Sequence, residues 1–220
     1  MSDTPIDVFI DLPSFPGPVQ AGRLWSHFRK GRESASFEYN KEWLANPHRF
    51  ALEPLLPLAD GTFHTNPGQS VFGAIGDSTP DRWGRILMRR AELARARTAN
   101  ESPHTLSELD YLLRVNDEAR QGALRFSQDG GQSFCAPPGS TPIPPLVNLS
   151  RLLHAADHFC RDDENAEDLR LLLAPGSSLG GARPKASVKD KKGNLCIAKF
   201  PRYDDEYNVV AWEAVALTLA

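Results

Sequence analysis

The 220-residue chain has only three cysteines, Cys135, Cys160 and Cys196. An odd number at that spacing excludes a disulfide scaffold and fits no zinc pattern. A reducing compartment follows, and the cytoplasm is the simplest setting. Long apolar runs are missing as well, and none approaches the roughly 20 residues that cross a membrane as a helix. The start, MSDTPIDVFIDLPSFPGP, is acidic and broken by proline, without the positive end and apolar centre of a signal peptide. Neither sign of charge dominates: 25 Lys and Arg stand against 28 Asp and Glu, a formal net charge of −3. That balance gives no global attraction to nucleic acid or membrane. What is present is an ordinary globular mixture, 40% hydrophobic and 24% charged, which can bury a core without metal or disulfides.

Three segments near the start, IDVFIDL, QAGRLWSHF and SASFEYN, alternate or carry strand formers between turn residues. Scattered prolines keep such strands short or at edges, and a small curved antiparallel sheet is expected. DSTPDRWGRILMRRAELARAR reads as a helix capped by Asp77 or Ser78, with Pro80 near its first turn. Trp83, Ile86, Leu87 and Leu93 form its apolar face. Arg82, Arg85, Arg89, Arg90, Arg95 and Arg97 cover the rest. Such a stripe can grip nucleic acid, but in a chain of negative net charge a solvated face is the simpler reading.

TLSELDYLLRVN reads as a further helix and GALRFSQDGG as a strand and turn. Gly, Pro and Ser crowd residues 127 to 145, the best linker candidate. NLSRLLHAADHFC and AEDLRLLLA then read as helices. His154 and His158, at i and i+4, have a spacing that suits a metal. No HExxH pattern accompanies them, and an ordinary helix face is the simpler account. HFCRDDEN, residues 158 to 165, has the wrong spacing for a kinase catalytic loop. Asp162, Asp163 and Glu164 read as a charged helix end or turn.

The segment APGSSLGGARPKASVKDKKGNLCIAKFP, residues 174 to 201, carries more backbone freedom and charge than a structural loop needs. It fails both common phosphate patterns: Ala182-Arg183 follows Gly181 where Walker A requires Lys-Ser/Thr, and the protein-kinase G-x-G-x-x-G is absent. Glycines, serine hydroxyls, Arg183 and Lys185 still have the chemistry of a nest for anionic oxygens. After the loop, Gly193-Asn194 turns a hairpin. In its second strand Leu195, Ile197 and Lys199 share one face, and Cys196, Ala198 and Phe200 the other. A lysine on an apolar face is either buried with a partner or reaches water from a strand end. A final helix from about Glu206, EYNVVAWEAVALTLA, is apolar almost all round, so packing on both sides is expected. It carries Glu213 beside Val210 and Leu217, and two misplaced charges of opposite sign can satisfy each other. Glycine loop, strand lysine and helix glutamate are the parts a kinase uses to hold phosphates.

GSSLGGARPKA, IAKFP and VVAWEAVALTLA resemble the nucleotide loop and following elements of HipA-family toxin kinases. VFGAIGDSTPDRWGRILMRR and LLRVNDEARQGALRF resemble the helix-opening motif and the closing helix and strand of the HipA N-terminal region. The resemblance covers nearly the whole chain, with the motifs in the right order. It implies an α+β protein in three parts: a β-rich N-terminal subdomain over 1–127, a linker over 128–148, and the beginning of a protein-kinase-like N-lobe over 149–220. By match to the family's motifs, the nucleotide-binding residues are Ser177, Ser178, Gly180, Gly181, Lys185, Lys199 and Glu213. Ser178 is the regulatory phosphosite and Ser177 its alternative. The complete kinase would use ATP and Mg2+ to phosphorylate a protein serine. No catalytic residue is expected in this chain, because the family's catalytic aspartate and metal ligands lie beyond its last residue. The chain thus reads as the N-terminal portion of a bacterial toxin of a type II toxin–antitoxin system linked to persistence. A HipB-type antitoxin and a translation-related protein substrate are the implied partners. DNA would be reached only through the antitoxin, and no membrane is involved. The rival reading is a non-catalytic module of a split or truncated system that holds an antitoxin or a separate kinase body.

Overall fold

The computed structural model describes residues 5–135, 143–176 and 181–220. In chain order the elements are β1 (Ile6–Ile10), β2 (Val19–Arg29), β3 (Arg32–Tyr39), α1 (Lys41–Ala45), β4 (Thr62–His64), α2 (Gly73–Gly76), α3 (Arg82–Ala99), α4 (Glu108–Leu113), β5 (Leu124–Ser127), α5 (Leu149–Cys160), α6 (Ala166–Gly176), β6 (Lys185–Lys189), β7 (Leu195–Lys199) and α7 (Val209–Leu219). The class is α+β. Two compact units divide the chain, Met1–Thr79 with Leu106–Ala136, and Pro80–Thr105 with Pro137–Ala220.

The first unit is built on a five-stranded antiparallel sheet of order β4-β3-β2-β1-β5. The three strands read from the alternating N-terminal segments are all present. Lys30 and Gly31, both at positive φ, join β2 to β3, the two-residue turn whose twist suits a hairpin. The β1–β2 register shifts between Val8 and Phe9, a bulge that bends the sheet. At Gly22 in β2 a Cβ would lie 2.2 Å from the Glu38 carbonyl oxygen and 2.4 Å from the Phe37 ring, so only glycine fits there. Ile6, Val8 and Ile10 bury one face of β1 against Leu24, Phe37, Trp43, Phe72 and Phe126. Inside this unit the buried Arg120 donates to the carbonyls of Ser78, Leu112 and Val115 at 2.9, 3.0 and 3.1 Å. It also stacks over Phe126.

The second unit packs α3, α5 and α6 against one face of the β6–β7 hairpin, around Trp83, Leu87, Leu152, Phe159, Leu172 and Val188. Helix α3 falls within the 1–127 region of the sequence reading. Its contacts join it to the second unit, because Trp83 and Leu87 complete that core. Its cap is Asp81, not Asp77 or Ser78. The chain makes the short α2 first, and Asp77 closes that helix. Leu93, expected on the apolar face, is exposed, and Met88 is buried instead. Of the expected linker, residues 136–142 lie outside the described residues. At its end Pro145 pairs in parallel with Lys189, and a 3₁₀ turn, Leu146–Asn148, leads into α5. Among the described residues no helix is long and apolar enough to cross a membrane.

Candidate functional site

The hairpin sets two lysines face to face. In the β6–β7 register Lys185 pairs with Lys199 and Ala186 with Ala198. The two lysines therefore leave one face of the hairpin, while the alanines and Val188 meet the core on the other. Leu195, Ile197 and Lys199 do share a face, but along β7 it is uncovered: Leu195 and Ile197 are 50% and 53% exposed. The buried lysine is Lys185, 8% exposed. Burial, reinforced by the Lys199 charge, pulls its ammonium below the ordinary lysine range, with Asp81 opposing.

Lys199 Nζ donates to the Glu213 carboxylate. Asn208 caps α7 at the Ala211 N–H, two residues before Glu213. The expected pairing is present, but its side chains are 49% and 34% exposed, so this is a solvent-facing pair. The expectation that α7 packs on both sides is not met. No residue of the helix is buried, because within the described chain only the Val209 and Glu213 stripe is even partly covered. Trp212 and Leu217 are 64% and 74% exposed.

Gly181 lies beside Lys185. Its φ of +84° is in the left-handed region, and a Cβ there would lie 2.8 Å from Lys185 Nζ. Glycine meets both demands. The Gly181 N–H donates to Asp81 Oδ2, and its carbonyl accepts the Trp83 N–H at 3.1 Å. Trp83 Nε1 donates in turn to the Lys185 carbonyl at 2.9 Å. Asp81 also accepts the Arg82 N–H at 2.9 Å as the cap of α3. These two backbone donors, Gly181 foremost, hold the Asp81 carboxyl below the usual carboxylate range.

Of the residues expected at the site, Gly181, Lys185, Lys199 and Glu213 come together on this side of the hairpin. Ser177, Ser178 and Gly180 lie outside the described residues. Arg183, considered for an anion nest, is paired with Asp205. The sequence reading assigned Asp81 no role and placed Trp83 on the apolar face alone; the signal for both was the Pro-Asp-Arg-Trp start of α3. The arginine stripe is partly neutralised: Arg90 pairs with Asp162 and Glu164, and Arg95 with Glu92 and Glu101. Asp162 stands in a turn after α5, and Glu164 in the loop that follows it. His158 Nδ1 is 3.0 Å from Asp168 Oδ2. Burial pushes the Asp168 carboxyl up, but the bonds from His158 and the Asn165 N–H outweigh it, and the net shift is downward. Among the described residues no group of three or more His, Cys, Asp or Glu is arranged to hold a metal ion.

Residues 17–127 match the family model of the HipA N-terminal domain. That span is half of the chain, and the chain belongs to the HipA family. Comparison with curated proteins gives no match. The matched span includes Asp81 and Trp83, whereas Gly181, Lys185, Lys199 and Glu213 lie outside it.

Proposed function

We propose that this chain is the N-terminal portion of a HipA-type toxin serine/threonine kinase, and that its hairpin holds the phosphates of ATP. The observation that carries the reading is the pair of lysines opposed on one face, with Glu213 on Lys199 and Gly181 against Lys185. Like charges directly opposite in a ladder are unfavourable, and an anion between them offsets the repulsion. Lysine, helix glutamate and glycine-loop end match what phosphoryl transfer needs, which is positioning and charge neutralisation. Lys185 and Lys199 would each contact phosphate oxygens, and Glu213 would orient Lys199. Mg2+ would arrive with the nucleotide.

In the same reading the exposed faces of α7 and β7 are covered by the body of the kinase, and the first unit helps to hold a HipB-type antitoxin. Ser178, with Ser177 as alternative, is the loop serine phosphorylated in the complete enzyme. The added charge would lie where the triphosphate binds and repel it. The uncovered α7 also favours a second reading, a non-catalytic module that acts by holding another protein.

Calorimetric titration of the purified chain with a non-hydrolysable ATP analogue tests the phosphate site. Weak saturable binding is expected, together with no protein phosphorylation by the chain alone. Absence of binding at any attainable concentration overturns the ATP reading. Vigorous magnesium-dependent phosphorylation would instead show that the chain carries its own catalytic groups.

A further inference from the structure

We propose that Asp81 is a positioning residue of the phosphate site: a solvent-facing anion at the start of α3, held by backbone N–H groups, that sets Gly181 and the start of β6 in place. The role rests on the phosphate reading above. Asp81 and Gly181 are 100 positions apart in sequence, yet both polar groups of the Gly181 backbone are committed to the first turn of α3. Its N–H goes to the Asp81 carboxylate and its carbonyl takes the Trp83 N–H. Trp83 is itself immobilised, buried edge-on against Phe159 with ring centroids 5.1 Å apart. Through its indole N–H it holds the Lys185 carbonyl as well. The bracket thus grips both ends of the segment that leads from the glycine loop into β6.

The Lys185 ammonium approaches Gly181 closely: it lies 2.8 Å from where a Cβ of residue 181 would be. The charges that bear on this ammonium include Lys199 from β7 and Asp81 from α3. Glu213 of α7 is engaged by Lys199, and Arg85 lies near Asp81. Asp81 is thus a carboxylate that opposes proton loss from Lys185. A cap of α3 needs only the bond to the Arg82 N–H, which asparagine supplies as well as aspartate. The negative charge and the reach to Gly181 exceed what capping requires.

The test uses the full chain, the Asp81→Asn variant, which keeps the cap and loses the charge, and Asp81→Glu, which keeps the charge. Hydrogen exchange in the nucleotide-free protein is expected to quicken about tenfold in the peptide containing Gly181 in Asp81→Asn, with the body of α3 unchanged. Affinity for a non-hydrolysable ATP analogue, measured from pH 6 to 10, is expected to fall as pH rises and Lys185 loses its proton. In Asp81→Asn that fall should come at lower pH, because the opposing charge is gone, and Asp81→Glu should restore most of the profile. If wild type binds and the Asp81→Asn profile coincides with it, or if exchange at Gly181 is unchanged, the positioning role is overturned and the phosphate reading stands. If wild type binds no analogue at any pH, the phosphate reading is overturned and this role falls with it.

Discussion

Lys185 and Lys199 stand directly opposite one another in the β6–β7 ladder, one buried and one half exposed. Such an arrangement works against the hairpin, by roughly 0.2–1 kcal/mol for a like-charge pair. Asp81 and Glu213 offset part of it. The Lys199–Glu213 pair is open to solvent, so its own contribution is about 0–1 kcal/mol, not the several kcal/mol of a buried pair. Lys199→Ala should therefore unfold within about 1 kcal/mol of wild type in urea. Its affinity for an ATP analogue should drop about tenfold, the worth of one charged hydrogen bond. Unfolding of the variant, or unchanged affinity, contradicts this assignment.

Arg120 is a charge enclosed within the first unit. Burial brings its guanidinium down to about 10, which still leaves it charged at neutral pH. It ties together three backbone carbonyls, on Ser78, Leu112 and Val115. Arg120→Met fills the space but removes every donor, and should cost about 3–5 kcal/mol in urea denaturation. Arg120→Lys should recover only part of this, because one ammonium cannot reproduce the planar fork. A fully stable methionine variant would show that the three carbonyls find other donors.

The strands were legible in the sequence because period-two alternation is local, and Gly193-Asn194 marked the hairpin for the same reason. The Lys199–Glu213 pair was legible because each charge interrupts an apolar pattern. Periodicity tells which residues share a face, but not which face is covered, and so it gave no sign that Lys185 is the buried lysine. It likewise cannot tell an apolar helix that is packed from one that is uncovered, as α7 shows. The cap of α3 was misplaced because Asp77, Ser78 and Asp81 are all capping residues within five positions. Choosing among them requires knowing that α2 ends at Gly76. The bond between Asp81 and Gly181 depends on the second unit's tertiary packing, and no local pattern announces it.

Asp129 follows β5 in a turn that wraps its carboxylate. The hydroxyl of Ser133, then that of Ser127, then the Ser133 N–H donate to it and lower its pKa to about 2. An unfolded chain titrates this group near 4. The ionised form thus favours the fold above pH ~4, and that contribution is lost as pH falls toward about 2. A carbon-detected NMR titration of the Asp129 carboxyl checks the value. Ser133→Ala removes the largest contributor and should move the midpoint up toward the ordinary range. An unchanged midpoint in that variant would show that Ser133 does not set it.

Trp212 leaves most of its side chain open to solvent. Trp43 and Trp83 are buried in their respective cores, whereas Trp212 is 64% exposed. Around it on α7 lie Val210, Val215, Leu217 and Leu219, all exposed, and Glu213 is the helix's single charge. Leu195 and Ile197 add exposed apolar surface on β7. Residues that are not buried contribute little to folding, so Trp212→Asp should alter stability by no more than about 0.5 kcal/mol. An uncovered apolar face of this kind is costly in water and gathers other apolar molecules. The native chain should therefore bind a fluorescent apolar dye in ordinary buffer, and Trp212→Asp should bind roughly half as much. Its thermal midpoint should shift by less than about 2 °C. Ala211→Asp, one position away on the same exposed helix, should reduce dye binding less, because it removes no large side chain. A large loss of stability in Trp212→Asp would mean that the indole is packed within the folded chain. Equal dye binding by both variants would mean that the apolar surface lies elsewhere.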